Sequence, residues 1–348
     1  MKNLIYLFFA VSIFVNVCYA FVTKSSSGIQ ESIKNHENFK AIKEVAETGN
    51  IEAMCQLGIM YQYGIGTVQN YYSAYKWYKM AAQGGDSRAK ANIGFLYLFG
   101  LGTFQSDYYA FKYLSEAAKA GEAEAMFFLG YMYENGINTS PDDQMAFSWY
   151  LKAAKAGDSD AIHQVGCMYL IGKGTTKDTS LGIQLIEIAA KSGVVEAMYN
   201  LGCVYLGDFN TDVNYNEALN WFNKAAQYNH PRACFNIAQM FRLGLGVKTD
   251  IKTAISWYKK AADCGSADAM YNLACFYMEG TGVLYKNKYE AFRLMKKAAE
   301  LDQPQAMFSL AYMYENGIGT IPNTISAKLW YRKAAKAGVE EAKEKANF

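Results

Sequence analysis

Few side chains in this sequence could carry acid–base, nucleophilic or metal chemistry. Among 348 residues there are three histidines, His36, His163 and His230, and they are far apart along the chain. The H-E-x-x-H, C-x-x-C, G-x-S-x-G and P-loop motifs, whose spacing builds a catalytic or metal-binding geometry, do not occur. We therefore predict no catalytic residue, no metal site and no cofactor, and we expect a binding protein rather than an enzyme.

The charge balance narrows the class of partner. The chain holds 34 Lys+Arg and 32 Asp+Glu, which gives a formal net charge of +2. Nucleic-acid binding relies on clustered cations, so this balance predicts no nucleic-acid partner. With 51% hydrophobic and 19% charged residues, the sequence lies outside the disordered class and can form a large core rich in its 28 Tyr and 20 Phe.

A period of 36 residues organises most of the chain. An alanine opens each copy, an aliphatic residue follows four positions later, a small residue comes next, and an aromatic residue stands three positions further on. The opening alanines are Ala53, Ala89, Ala125, Ala161, Ala197, Ala233, Ala269, Ala306 and Ala342. This spacing places the recurring residues on one face of a helix, here called helix A. The small residue predicts a close approach by a neighbouring helix, and a glycine such as Gly64 closes helix A in all copies but the fifth.

A second helix, helix B, follows helix A in each copy. Its pattern is Ala-x-x-Trp followed by an Ala-Ala pair, as in Ala146, Trp149 and Ala153-Ala154. All five tryptophans occupy this one place, so we predict that they are core residues: Trp77, Trp149, Trp221, Trp257 and Trp330. Candidate N-caps, Ser106, Ser159, Asp250 and Asn323, precede the helices.

The two ends of the chain differ from the repeats. Residues 1–20 have a positive Lys2, an apolar run from Leu4 to Val17 and small residues before a cleavage point after Ala20, which is typical of a secretory signal peptide. We expect an exported chain, periplasmic or secreted, with no transmembrane segment after cleavage. We also expect a flexible leader at 21–38, a capping helix at 39–52, eight repeats over 53–338 and a polar capping helix at 339–348.

These residues resemble the Sel-1-like repeats, a branch of the tetratricopeptide-like α/α solenoids. The family pattern A-x-x-x-L-G-x-x-Y-x-x-G-x-G, followed by A-x-x-W-x-x-K-A-A-x-x-G, recurs from Phe39 to Phe348 almost without interruption. The copy that starts at Ala197 departs from it, with Gly207-Asp208 near the loop and no G-x-G. The resemblance implies an all-α fold, a right-handed α/α superhelical solenoid of about eight helix-turn-helix repeats.

Six cysteines remain after the predicted cleavage, which in an exported chain raises the question of disulfides. Cys167, Cys203 and Cys275 share one repeat position, where neighbouring copies should lie too far apart to bond. Cys234 opens a helix A and Cys264 ends helix B of the same copy, and antiparallel helices bring these ends together. A Cys234–Cys264 disulfide and a pair of small buried thiols are the two alternatives.

Helix A also carries a candidate binding row. In related solenoids helix A lines the concave face, and here the third and fourth residues of each copy are rich in aromatic residues and asparagine. Asparagine both donates and accepts, so it can pair with a peptide backbone of any sequence. The same side chains could instead hold neighbouring repeats together. The candidate peptide-binding residues are Asn92, Asn200, Asn236, Asn272, Phe127, Tyr199, Phe235, Tyr271 and Phe308.

The resemblance implies a scaffold that binds a protein or peptide through its concave face, with roles in bacteria that include host interaction, virulence and envelope assembly. The alternative is a secreted repeat protein that binds cell-wall fragments or β-lactams and has weak β-lactamase-type activity. The combination of S-x-x-K, S-D-N and K-T-G motifs that such chemistry uses is absent from the sequence.

Overall fold

The computed structural model describes residues 28–282 and 285–345, and the regular structure of these residues is helical throughout, with no strand. The predicted signal peptide at residues 1–20 lies outside the described residues, as does the first part of the predicted leader. The chain divides after Val194 into two compact units. No helix among the described residues is long and apolar enough to cross a membrane.

The first unit contains one leading helix and four antiparallel helix pairs. Its helices are α1 (Gly28–Glu47), α2 (Ile51–Tyr63), α3 (Tyr71–Gln83), α4 (Ser87–Phe99), α5 (Asp107–Lys119), α6 (Ala123–Asn135), α7 (Asp143–Lys155), α8 (Ser159–Ile171) and α9 (Thr179–Lys191). Helix α1 begins inside the segment expected to be a flexible leader. Its last half packs on α2, where the rings of Phe39 and Tyr61 meet edge to face at 5.3 Å.

The second unit contains four further pairs and a short terminal helix. Its helices are α10 (Val195–Tyr205), α11 (Tyr215–Gln227), α12 (Pro231–Leu243), α13 (Ile251–Asp263), α14 (Ala267–Glu279), α15 (Lys288–Glu300), α16 (Pro304–Asn316), α17 (Thr324–Lys336) and α18 (Glu340–Lys345). The departing fifth copy ends α10 early and continues as a 3-10 turn, Asp208–Asn210, in which Phe209 has a φ of 60°. The even-numbered helices from α2 to α16 are the A helices, and the odd-numbered helices from α3 to α17 are the B helices.

Capping residues set the helix boundaries much as the sequence predicts. Gly64 ends α2 with a φ of 68°, a left-handed conformation that favours glycine, and the same cap closes the other regular A helices. Ser106, Asp250 and Asn323 are N-caps whose side chains accept a backbone N–H. The prediction for Ser159 is wrong by one residue, because the carboxylate of Asp158 accepts the Ala161 N–H at 2.7 Å and Ser159 is already helical.

The small residue of helix A allows the close helix contact that its position predicts. A Cβ built on Gly130 would lie 2.7 Å from the ring of Tyr150, and one on Gly58 would lie 2.5 Å from the ring of Tyr78. Both tyrosines stand directly after a helix-B tryptophan and are almost completely buried. The innermost residue of helix B is therefore the one that follows the tryptophan.

The tryptophans themselves lie at the edge of the core. Trp221 and Trp330 are buried, whereas the other three are half-buried. In four copies a lysine three residues later lies over the indole, as Lys152 does with its Nζ 3.9 Å from the Trp149 ring centre. The lysine covers the outer side of the ring and adds a cation–π contact.

The second glycine of the G-x-G loop forms the joint between neighbouring copies. A Cβ on Gly102 would overlap the backbone of Tyr71, where helix B of the preceding copy begins. Glycine provides the close backbone approach at this place. The same contact joins Gly66 to Asn35, Gly174 to Asp143, Gly246 to Tyr215 and Gly319 to Lys288.

Candidate functional site

A cleft of about 520 Å³ opens on the A helices of the second unit. It lies between α14, α16 and the start of α18, and it is lined by Tyr271, Gln305, Phe308, Ser309, Gly338, Val339, Glu340 and Glu341. Two of the predicted binding residues, Tyr271 and Phe308, thus face one cavity. We call this cavity the α14–α16 cleft, and we call the exposed side of the A helices the helix-A face.

The two aromatic walls of the cleft are held in place by neighbours. The Tyr271 hydroxyl interacts with Ser309 on the next A helix and with Cys275 one turn along its own helix, and burial raises the pKa of this phenol. The ring of Phe308 packs against that of Tyr331 with centroids 5.5 Å apart. Both rings are therefore positioned before any ligand arrives.

The acidic wall of the cleft belongs to α18, which is anchored to the last repeat. Lys345 Nζ donates to Glu315 Oε1 at 3.0 Å, and the Tyr331 hydroxyl donates to Oε2 of the same carboxylate at 2.7 Å. These two contacts lower the pKa of Glu315. These contacts join the end of α18 to α16 and α17, and Glu340 and Glu341 at the start of α18 line the cleft.

The predicted asparagines occupy the same position in different A helices, and their amides act differently from one copy to the next. Asn92 Nδ2 donates to Arg88 O at 3.1 Å, and Asn272 Nδ2 donates to Asp268 O at 2.9 Å, in each case one turn back in the same helix. Asn200 also has a partner. For Asn92 and Asn272 these bonds fix the side chain while the Oδ1 acceptor stays available to a ligand.

The other predicted aromatic residues differ in how much they reach solvent. Phe127 is buried and packs on Phe128 and Tyr150, with ring centroids 5.5 and 5.3 Å away. Tyr199 and Phe235 are both half-buried, and the ring of Tyr199 stacks on that of His230 with centroids 4.7 Å apart. The rings of the second unit therefore offer more surface to a ligand than Phe127 does.

The six cysteines among the described residues are free thiols, and most have a pKa raised by burial. The pKa is about 11 for Cys203 and about 11 for Cys234, and that of Cys264 is also raised. The thiols of Cys234 and Cys264 contact each other, as the antiparallel arrangement predicts. In the first unit, His163 Nε2 lies 3.3 Å from Cys167 Sγ.

No group of three or more His, Cys, Asp or Glu in the described part of the chain could hold a metal ion. The cleft residues that sequence reasoning missed are Gln305, Ser309, Gly338, Val339, Glu340 and Glu341. The repeat pattern contains a signal for two of them. Ala342 continues the row of opening alanines, so Glu340 and Glu341 occupy the positions that begin helix A in every other copy.

Comparison with known proteins gives a consistent family. The model of the Sel1 repeat matches residues 51–86, 87–122, 123–158, 159–194, 195–230, 231–266, 267–303 and 304–339. The structure is similar to that of a protective antigen present in uropathogenic Escherichia coli strains displaying an SLR fold, with 28% identity and a TM-score of 0.63 over 89% of this chain and 66% of that chain. A Sel1 repeat protein from Oxalobacter formigenes is 27% identical, with a TM-score of 0.63 over 88% of each chain. No curated protein sequence matches the chain.

Proposed function

The chain belongs to the Sel1 repeat family, whose members commonly act as non-catalytic scaffolds in protein–protein interaction, and we propose that it binds an extended protein segment along its helix-A face. The observation that carries this proposal is the α14–α16 cleft, in which Tyr271 and Phe308 supply apolar surface. Asn272 follows Tyr271 in the same helix and has a fixed amide with a free acceptor. An extended backbone could pair with such groups without regard to its sequence.

The test is a triple substitution, Asn200→Ala, Asn236→Ala and Asn272→Ala, in residues 21–348, measured against the partner obtained by affinity capture. Losing hydrogen bonds to a desolvated peptide costs about 1–3 kcal/mol each, so we expect the affinity to fall by at least about tenfold. The melting temperature should stay near that of the parent protein. Asn316→Ala is the control, because Asn316 makes the same bond one turn back, to Tyr312 O at 2.9 Å, outside the row. An unchanged affinity would rule out the asparagine row, and a collapsed melting temperature would assign it to repeat packing.

We propose further that the protein is exported and acts in host contact or in the cell envelope. The support is the signal-like pattern of residues 1–20. Expression of the full chain in a bacterium, followed by N-terminal sequencing of the periplasmic and secreted fractions, tests this. The expected mature chain begins at Phe21. A chain that keeps its first residues and stays in the cytoplasm would contradict the proposal.

We also propose that the protein has no enzymatic activity. Thiolate chemistry is disfavoured because burial raises the pKa of Cys55 to about 12 and that of Cys203 to about 11, so these thiols are protonated at neutral pH. A nitrocefin assay on residues 21–348 checks the β-lactamase alternative. Turnover above background that disappears when the protein is unfolded would contradict a purely binding role.

A further inference from the structure

The charge of the α14–α16 cleft is one-sided. Of its eight lining residues, Glu340 and Glu341 are acidic and none is basic. Glu340 accepts from Lys343 Nζ at 2.7 Å, but both partners are largely exposed, and such ion pairs contribute little. A chain with a formal net charge of +2 has thus placed carboxylates at this cavity.

Aromatic side chains of the same cleft supply the complementary half of a cation site. Tyr271 and Phe308 present aromatic surface, and both rings are held by neighbours, Ser309 and Tyr331. An aromatic face attracts a cation, and a guanidinium also stacks flat on it. Carboxylates that line the same cleft can accept the paired N–H groups of the same guanidinium.

Other ligands suit this cavity less well. An acidic side chain would meet the like charge of Glu340 and Glu341, and an apolar side chain would displace water from these carboxylates without replacing its hydrogen bonds. The volume of about 520 Å³ falls in the range of a specific side-chain or small-ligand pocket.

We propose that the α14–α16 cleft binds an arginine side chain of the extended partner segment, with the side-chain stem on Tyr271 and Phe308 and the guanidinium at Glu340 and Glu341. This inference rests on the proposed peptide-binding role of the helix-A face and names the chemistry of the partner at its second unit. Arginine rather than lysine is the residue that both stacks on rings and pairs with two carboxylate oxygens.

The test uses three short peptides that differ only in their central residue: acetyl-Ala-Arg-Ala-amide, its citrulline counterpart and its glutamate counterpart. Citrulline keeps the shape of arginine and removes the charge. Binding is followed on the isotope-labelled 21–348 protein by the amide resonances of Ser309 and Val339, which line the cleft. We expect the arginine peptide to bind at least about tenfold more tightly than the other two, with an affinity that falls as salt is added.

The matched variants are the double substitution E340Q/E341Q and the control E344Q, which removes an exposed carboxylate of α18 that does not line the cleft. E340Q/E341Q should lose the preference for arginine over citrulline, whereas E344Q should keep it. Thermal melting of both variants checks that α18 remains folded. Equal binding of all three peptides would overturn the arginine preference and leave peptide binding in place. Binding of none would overturn the arginine site, whereas the triple asparagine variant and the captured partner decide the binding of an extended segment separately.

Discussion

At the residue scale, burial raises the pKa of a few carboxyl groups and of several thiols on the A helices. Glu124 keeps part of its surface in contact with solvent, while its carboxyl group has protein on most sides. Desolvation raises the pKa of this carboxyl group to about 7, and the like charges of Asp158 and Glu122 add to the effect. The pKa of Asp158 rises to about 6 although its carboxylate caps α8. The negative charges of Asp158 and Glu124 therefore repel each other at the boundary between two copies.

Glu124→Gln should remove a pH-dependent loss of stability. The folded state holds the Glu124 proton more tightly than the unfolded state, whose value is near 4.5, so this contribution is complete at low pH and is lost as the pH rises to about 7. Urea unfolding at about pH 5 and about pH 8 should show the variant gaining on the parent protein only at the higher pH. Glu52→Gln, at the same place in the first copy, is the control. A gain that is equal at both pH values would contradict the assignment.

Cys234 and Cys264 should form a disulfide when the folded protein is treated with oxidised glutathione. Their thiols already contact each other, and thiol–disulfide exchange transfers the two electrons to glutathione. Intact mass should show the loss of two hydrogen atoms, and a native bridge of this loop length would stabilise the protein by about 2–4 kcal/mol. Cys234→Ser is the control. If both cysteines can still be fully alkylated after the oxidation, no disulfide has formed and the alternative of two buried thiols holds.

At the element scale, the close contact of helix A with helix B in the first five copies depends on a glycine, which has no side chain. Gly130→Leu should lower the free energy of unfolding by about 1–3 kcal/mol or more, because overpacking displaces the ring of Tyr150. Lys152→Gln should cost at most about 1 kcal/mol, since it removes only the exposed cation–π contact with Trp149. Urea unfolding of both variants measures the difference. An equal loss of unfolding free energy in both variants would show that helix A and helix B are not closely packed at Gly130.

The repeat spacing explains why the elements were predictable and the site was not. Ala125, Leu129 and Gly130 recur at fixed distances, so their helix, its buried face and its glycine cap follow from the sequence. The burial of Tyr150 rather than Trp149 depends on how helix B rotates against helix A, which a single periodic pattern does not encode. The acidic wall of the cleft is formed by the start of α18, and the sequence pattern predicted that segment only as a cap.

At the scale of the whole molecule, stability in a repeat protein is a sum of copies and of their contacts with nearest neighbours. Damage in one copy should therefore stay local. In Gly130→Leu we expect faster amide hydrogen exchange in α6, α7 and the adjacent copies, and unchanged exchange in α16 and α17. Hydrogen-exchange mass spectrometry measures this, with Lys152→Gln as the control. Uniform acceleration along the chain would mean that the repeats unfold as one unit.

The glycine joints have a consequence for how such a chain can change its length. Gly102 meets the backbone of Tyr71, and Gly319 meets the backbone of Lys288, in the same way. Because these contacts are made largely with main-chain atoms, a joint does not require particular side chains in the copy that it touches. A gene that duplicates or loses a whole repeat would therefore produce a new neighbour that already fits, so the number of copies can evolve separately from the side chains that each copy exposes.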